Sequence, residues 1–172
     1  MNKKMLTILL TAFVSSLAYG FTDSLWIVEA GGNPGDLVSV EVWLQYEGSG
    51  FGDCMSAFDI PFTYDATVCT VEAITIGPDF SLWEDQSRID NQGTQGAPEV
   101  PKIGISAITT TANGSSPVSR GVHLVASVDF RILNTVASNS TRIYTLMKAF
   151  TGPTIYLAFV DRYGHTSYYP AF

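Results

Sequence analysis

Leu37-Val38-Ser39-Val40-Glu41-Val42-Trp43-Leu44-Gln45-Tyr46 alternates between two sets of side chains without a break. Val38, Val40, Val42 and Leu44 fall on one side; Ser39, Glu41, Trp43 and Gln45 fall on the other. Successive side chains of a strand point to opposite faces, so this period of two predicts a strand with one buried face. Trp43 is the exception on the polar side. An indole there is either covered by a loop or presented to a partner.

The same pattern recurs on both sides of this stretch. Residues 25–28 read as a short strand closed by Gly31-Gly32-Asn33-Pro34-Gly35-Asp36. Further on, Phe58, Ile60, Phe62 and Tyr64 point inward while Asp59, Pro61 and Thr63 point out. Pro61 has no N–H to give to a ladder, which marks this strand as an edge strand or a bulged one. Strands are expected at 68–76, 102–108 and 123–133, the last with Leu124, Ala126, Val128, Phe130 and Ile132 on one side. Segments 142–146, 155–160 and 166–169 follow, and 83–89 offers a further short strand inside a polar loop over 79–101. Gly, Pro, Asn and Asp punctuate the runs, and no window has a helical period. About nine strands at this spacing predict an all-β chain, an antiparallel two-sheet β-sandwich. Its expected core is Val40, Val42, Phe58, Ile60, Phe62, Val71, Ile105, Val128 and Phe130.

The N-terminus is built differently. Lys3 and Lys4 precede an apolar run over 5–14, and Ala18-Tyr19-Gly20 places small residues where a signal peptidase reads. That run is too short to span a bilayer comfortably. Residues 1–20 are therefore expected to be a cleaved signal peptide and 21–172 the single domain, secreted or held at the cell surface. No later stretch is apolar and long enough for membrane insertion.

The chain carries 9 basic and 16 acidic residues, a net charge of −7 that becomes more negative once Lys3 and Lys4 leave with the leader. Such a surface repels phosphate backbones and anionic lipid, which argues against nucleic-acid and membrane-surface partners. Two cysteines in an exported chain invite a disulfide. Here a strand separates Cys54 from the turn before Cys69, and ten residues of strand span roughly 33 Å. A disulfide needs Cα atoms within about 7 Å. Both thiols are expected to be free, with Cys69 buried and Cys54 in or beside a loop.

Catalytic machinery is not visible. His123 begins a strand and His165 follows a turn, so each reads as a surface or edge residue. The chain has no nucleophile elbow, zinc-protease helix or phosphate-binding loop. Glu84 and Asp85 are adjacent carboxylates in a loop and read as solvated. No cofactor is expected beyond calcium, for which Asp85, Asp90 and Asn91 supply hard oxygen donors at a spacing that matches no known calcium loop. Flat aromatic rings suit sugar rings, which makes Trp43 and Trp83 the carbohydrate-binding candidates. Most aromatics of a two-layer sandwich are nevertheless core.

Several segments together resemble the cohesin domain family, a bacterial secreted jelly-roll β-sandwich related to carbohydrate-binding modules. They are Asn33-Pro34-Gly35-Asp36 leading into Val38-Ser39-Val40-Glu41-Val42, then Ala57-Phe58-Asp59-Ile60-Pro61-Phe62-Thr63-Tyr64-Asp65 and Val68-Cys69-Thr70-Val71. Lys102-Ile103-Gly104-Ile105-Ser106-Ala107 and Leu124-Val125-Ala126-Ser127-Val128-Asp129-Phe130 continue in family order. The resemblance implies a jelly roll that binds a dockerin-like protein through one sheet face, without chemistry. It places Asp59 at an acidic position used on that face, with Thr63 on the same side. By pattern alone Asp59 is a solvated strand residue, and both readings stand. Cys69 departs from the family's usual core Leu, and the 79–101 loop has no evident counterpart. The leading expectation is a non-catalytic extracellular interaction or structural module, bound to a protein partner or to its own copies. Tyr168-Tyr169-Pro170-Ala171-Phe172 is either a strand that adds to a neighbour's sheet or the domain's own last strand. The alternative is a carbohydrate-binding module of a secreted polysaccharide-handling system.

Overall fold

A computed structural model describes residues 6–8, 23–47, 54–135, 140–146, 148–151, 155–162 and 166–168. Nine strands carry the architecture: β1 (Ser24–Ile27), β2 (Leu37–Tyr46), β3 (Cys54–Thr63), β4 (Cys69–Ile76), β5 (Arg88–Asp90), β6 (Lys102–Ile108), β7 (Gly121–Ile132), β8 (Ala158–Asp161) and β9 (Thr166–Tyr168). One sheet has the order β1-β2-β7-β4 and the other β9-β8-β3-β6-β5, with every pair antiparallel. Short bridges at Glu84–Asp85, Val118–Ser119 and Tyr144–Thr145 extend the second sheet. Among the described residues the only helical turn is the 3-10 turn Pro78–Phe80, and no helix is long and apolar enough to cross a membrane.

The alternation read from the sequence becomes the core. All nine residues expected there are buried, and they form one cluster with Leu44, Ile103, Ala107 and Val125 between the two layers. Phe80 and Trp83 close one end of this core, packed edge-on to each other at 4.9 Å between ring centroids. Tyr64 lies edge-on to Phe130 at 5.6 Å, and its hydroxyl donates to the Asn91 side chain. Burial raises the Tyr64 phenol above its ordinary pKa.

Three expectations are corrected. β3 is not an edge strand: it lies between β8 and β6. Its bulge falls near Met55, away from Pro61. The Pro61 carbonyl faces the short Tyr144–Thr145 bridge and accepts the Leu146 N–H at 2.8 Å, so the missing N–H lies where the ladder is nearly spent. Leu124 does not share a face with Ala126. A bulge between them turns Val125 and Ala126 both into the core and leaves Leu124 outside, opposite Trp43. Gly77 makes room for this: it donates to the Val125 carbonyl at 2.8 Å, and a Cβ there would stand 1.7 Å from the Leu124 carbonyl oxygen. His123 is buried, not at the surface. Its Nδ1 lies 2.7 Å from the Asp79 carboxylate and its Nε2 2.9 Å from the Ser119 carbonyl. The ring thereby ties the 3-10 turn to β7.

The thiols are free as expected, with Cys69 buried and Cys54 half-buried at the first position of β3, in the opposite sheet. Of the expected leader only Leu6–Ile8 is described. Its backbone pairs antiparallel with Ala30–Gly32 and parallel with Ser140–Thr141. His165 and 169–172 lie outside the described residues.

Candidate functional site

The outer face of the second sheet is built around β3. Alternation turns Ala57, Asp59, Pro61 and Thr63 outward, and the β6 register sets them beside Ile108, Ser106, Gly104 and Lys102. Asp59 and Thr63 share this face, four residues and about 13 Å apart along the strand. Their surroundings differ.

At the Thr63 end the face is capped. Lys102 points outward from β6, yet its side chain is 0% exposed because the loop after β5 folds over it. Its ammonium donates to the Asp90 carboxylate at 2.9 Å and to the carbonyls of Pro98 at 2.9 Å and Gly96 at 3.1 Å. The Phe150 ring lies 5.3 Å from that nitrogen, and the Arg88 guanidinium sits 5.7 Å from the same ring. Gly96, at φ +79°, lies so close to Thr151 that a Cβ would stand 2.6 Å from its side chain. Thr63 is drawn into the cap by donating to the Pro101 carbonyl at 2.7 Å. Burial alone would raise the Asp90 pKa; the Lys102 ammonium and the N–H groups of Gln95 and Thr94 instead hold it at about 2.

The Asp59 end lies outside the cap and is partly open, although Ser106 and Ala158 on either side of Asp59 are 5% and 4% exposed. Asp59 is half-buried and accepts a hydrogen bond from the Ser106 hydroxyl across the β3–β6 ladder. Ile108 is 40% exposed beside Ala57, and Val160 of β8 flanks Ala57 on the other side. Glu84 and Asp85 are exposed at the rim, paired with Ile108 and Ala107. The open half is thus a small apolar step with one oriented carboxylate at its centre and acidic residues at its edge.

The other sequence candidates are dispersed. Asp85 pairs with Ala107 and Asp90 with Lys102, about 16 Å apart along β6. Asp85 accepts the Ser87 N–H at 2.8 Å; Asn91 faces the core side, bonded to both backbone groups of Val71 at 2.9 Å. Among the described residues, no three His, Cys, Asp or Glu side chains gather as a metal site. Trp83 is 6% exposed in the core and donates to the Ser116 carbonyl at 3.1 Å, which removes it from any surface platform. Trp43 stays half-exposed on the outer face of the first sheet, beside Trp26.

Sequence reasoning missed Lys102 as the centre of the cap. The available signal was a lone lysine heading an apolar strand, behind a loop rich in Gly, Pro and Asp.

The sequence pattern of the family described as Cohesin domain matches residues 25–154. No curated protein matches the chain significantly. Among solved structures, CaCohA2 from Clostridium acetobutylicum is similar at 21% identity and TM-score 0.51, over 78% of this chain and 76% of that one. The sixth cohesin of scaffoldin B from Acetivibrio cellulolyticus, solved with a mutant dockerin, matches at 21% identity and TM-score 0.51, covering 81% and 86%. A type I cohesin–dockerin complex from Clostridium thermocellum matches at 15% identity and TM-score 0.55, covering 83% and 89%. At these identities the structures testify to fold alone; the match of the family pattern to most of the sequence makes the chain a member of the cohesin domain family.

Proposed function

We propose that this chain is a non-catalytic, extracellular interaction module that docks a dockerin-type protein on the open half of the β3 face. The carrying observation is the oriented Asp59–Ser106 pair set among Ala57, Ile108 and Val160, with the remainder of the face closed by the cap. The solved A. cellulolyticus and C. thermocellum relatives are complexes with dockerins, which supports a partner of that kind. An acidic rim suits a partner carrying lysine or arginine at its contact surface. Export follows from the leader over residues 1–20, cleaved before Phe21, so that the domain works outside the cell.

The test is binding of the mature domain to a panel of purified dockerins by calorimetry. Asp59→Asn preserves the shape and the acceptor for Ser106 while removing the charge. It is expected to weaken a bound dockerin at least tenfold, about 1.4 kcal/mol, with the fold intact. Failure of every dockerin to bind, or unchanged affinity in Asp59→Asn, would refute the assignment of this face.

A further inference from the structure

The opposite face of the molecule carries an aromatic group that the β3 face does not use. On the outer side of the first sheet, β1 and β2 set Trp26 directly beside Trp43, and β7 sets Leu124 on the far side of Trp43. The two indoles are nearly parallel, 11° apart with centroids 6.4 Å from each other. Val28 and Val122, exposed at 43% and 54%, extend the same stripe at its two ends. A single exposed apolar residue needs no explanation, but a contiguous stripe rimmed by polar groups marks a contact surface.

The rim narrows the ligand class. The Trp43 indole N–H donates to Glu41 at 2.9 Å, and Gln45 donates to Glu47, so the polar side chains beside the rings are themselves oriented. Ser24, Gln45 and Ser127 are half-buried on the same face and bring hydroxyl and amide groups level with the rings. The stacked pair turns one face of each ring toward the other, and Trp26, on the edge strand, keeps an outer electron-rich face that attracts the weakly positive C–H faces of a sugar ring. The surrounding groups can exchange hydrogen bonds with its hydroxyls. Trp26, Trp43 and Leu124 lie on three adjacent strands, so the stripe is about 10 Å across, the scale of a disaccharide unit. Glu41, Glu47 and Asp129 on or beside this face, together with the net charge of −7, oppose uronic acids and sulfated glycans.

We infer that the Trp26–Trp43 face binds a neutral polysaccharide, independently of the partner on the β3 face. Affinity electrophoresis of the mature protein tests this, in native gels containing hydroxyethylcellulose or neutral xylan, against a gel without polymer. The wild type should be retarded by at least one polymer. Trp26→Ala should weaken binding about tenfold, and Asp59→Asn should leave it unchanged. Trp26→Phe, which keeps a ring, should retain part of the retardation. Should Trp26→Ala melt without cooperativity, Val122→Glu tests the same face from a position already open to water. Absence of retardation in both neutral gels would overturn the inference, as would full retardation of a folded Trp26→Ala or Val122→Glu variant. Dockerin binding is read separately, so neither result depends on the other.

Discussion

Lys102 and Asp90 meet at 2.9 Å with side chains 0% and 2% exposed, outside the sandwich core and on the face of a sheet. The loop that follows β5, drawn onto the ammonium by the carbonyls of Gly96, Pro98 and Val100 beside the Asp90 carboxylate, converts half of the sheet face into interior. The pair decides which part of the β3 face is closed by the cap.

Lys102→Met keeps the length of the side chain but leaves the Asp90 carboxylate buried without its cation. Breaking one partner of a buried pair costs about 3–5 kcal/mol. A fall of that size in urea unfolding is expected, with part recovered in the Lys102→Met/Asp90→Asn double variant.

Asp90 also sets an acid limit. Its folded-state pKa, about 2, lies below the ordinary carboxylate value, so folding favours the ionised form. The associated stability is present above about pH 4 and disappears as the pH falls towards 2, on the order of 2–3 kcal/mol. Unfolding free energies measured across that window should fall more steeply in the wild type than in Asp90→Asn, where the lowered carboxylates of Asp36 and Glu72 still contribute.

Gly77→Ala places a methyl group 1.7 Å from a backbone oxygen that cannot move without undoing the β7 bulge. The cost is expected to meet or exceed the roughly 1–3 kcal/mol of ordinary overpacking. A melting temperature within a degree of wild type would show that the bulge relaxes freely.

Asp59→Ala differs from Asp59→Asn. It removes the acceptor of the Ser106 hydroxyl, whose residue is 5% exposed. An orphaned buried donor costs about 1–3 kcal/mol. Thermal melts of the two variants side by side should separate that structural cost from any effect on binding.

The two thiols should react in sequence. Burial, with the Asp65 carboxylate nearby, pushes the Cys69 thiol up to about 12, whereas Cys54 is half-buried at the start of β3. A disulfide exchange reagent at neutral pH should titrate Cys54 in the folded protein and Cys69 only after denaturation.

The alternation of Val38 to Tyr46, Phe58 to Tyr64 and Ile103 to Ala107 was enough to determine the layers and the core, because a strand's period of two is a local property. Asp59 and Thr63 were legible as neighbours on one face for the same reason. What happens above a face is not local. Whether Thr63 stands in the open or under a cap depends on a loop whose anchor, Lys102, is buried by carbonyls contributed from 96 to 100. Trp43 and Trp83 looked alike in sequence, yet one lies beside Trp26 at the surface and the other fills the core behind Phe58 and Phe80. Leu124 changed sides because one inserted residue shifts every later side chain, and only the close approach of Gly77 reveals where that insertion falls. Sequence alone determined which residues share a face where a strand runs without a bulge; the tertiary structure decided where the ladder bulges and which faces stay open, since both require segments far apart in the chain to meet.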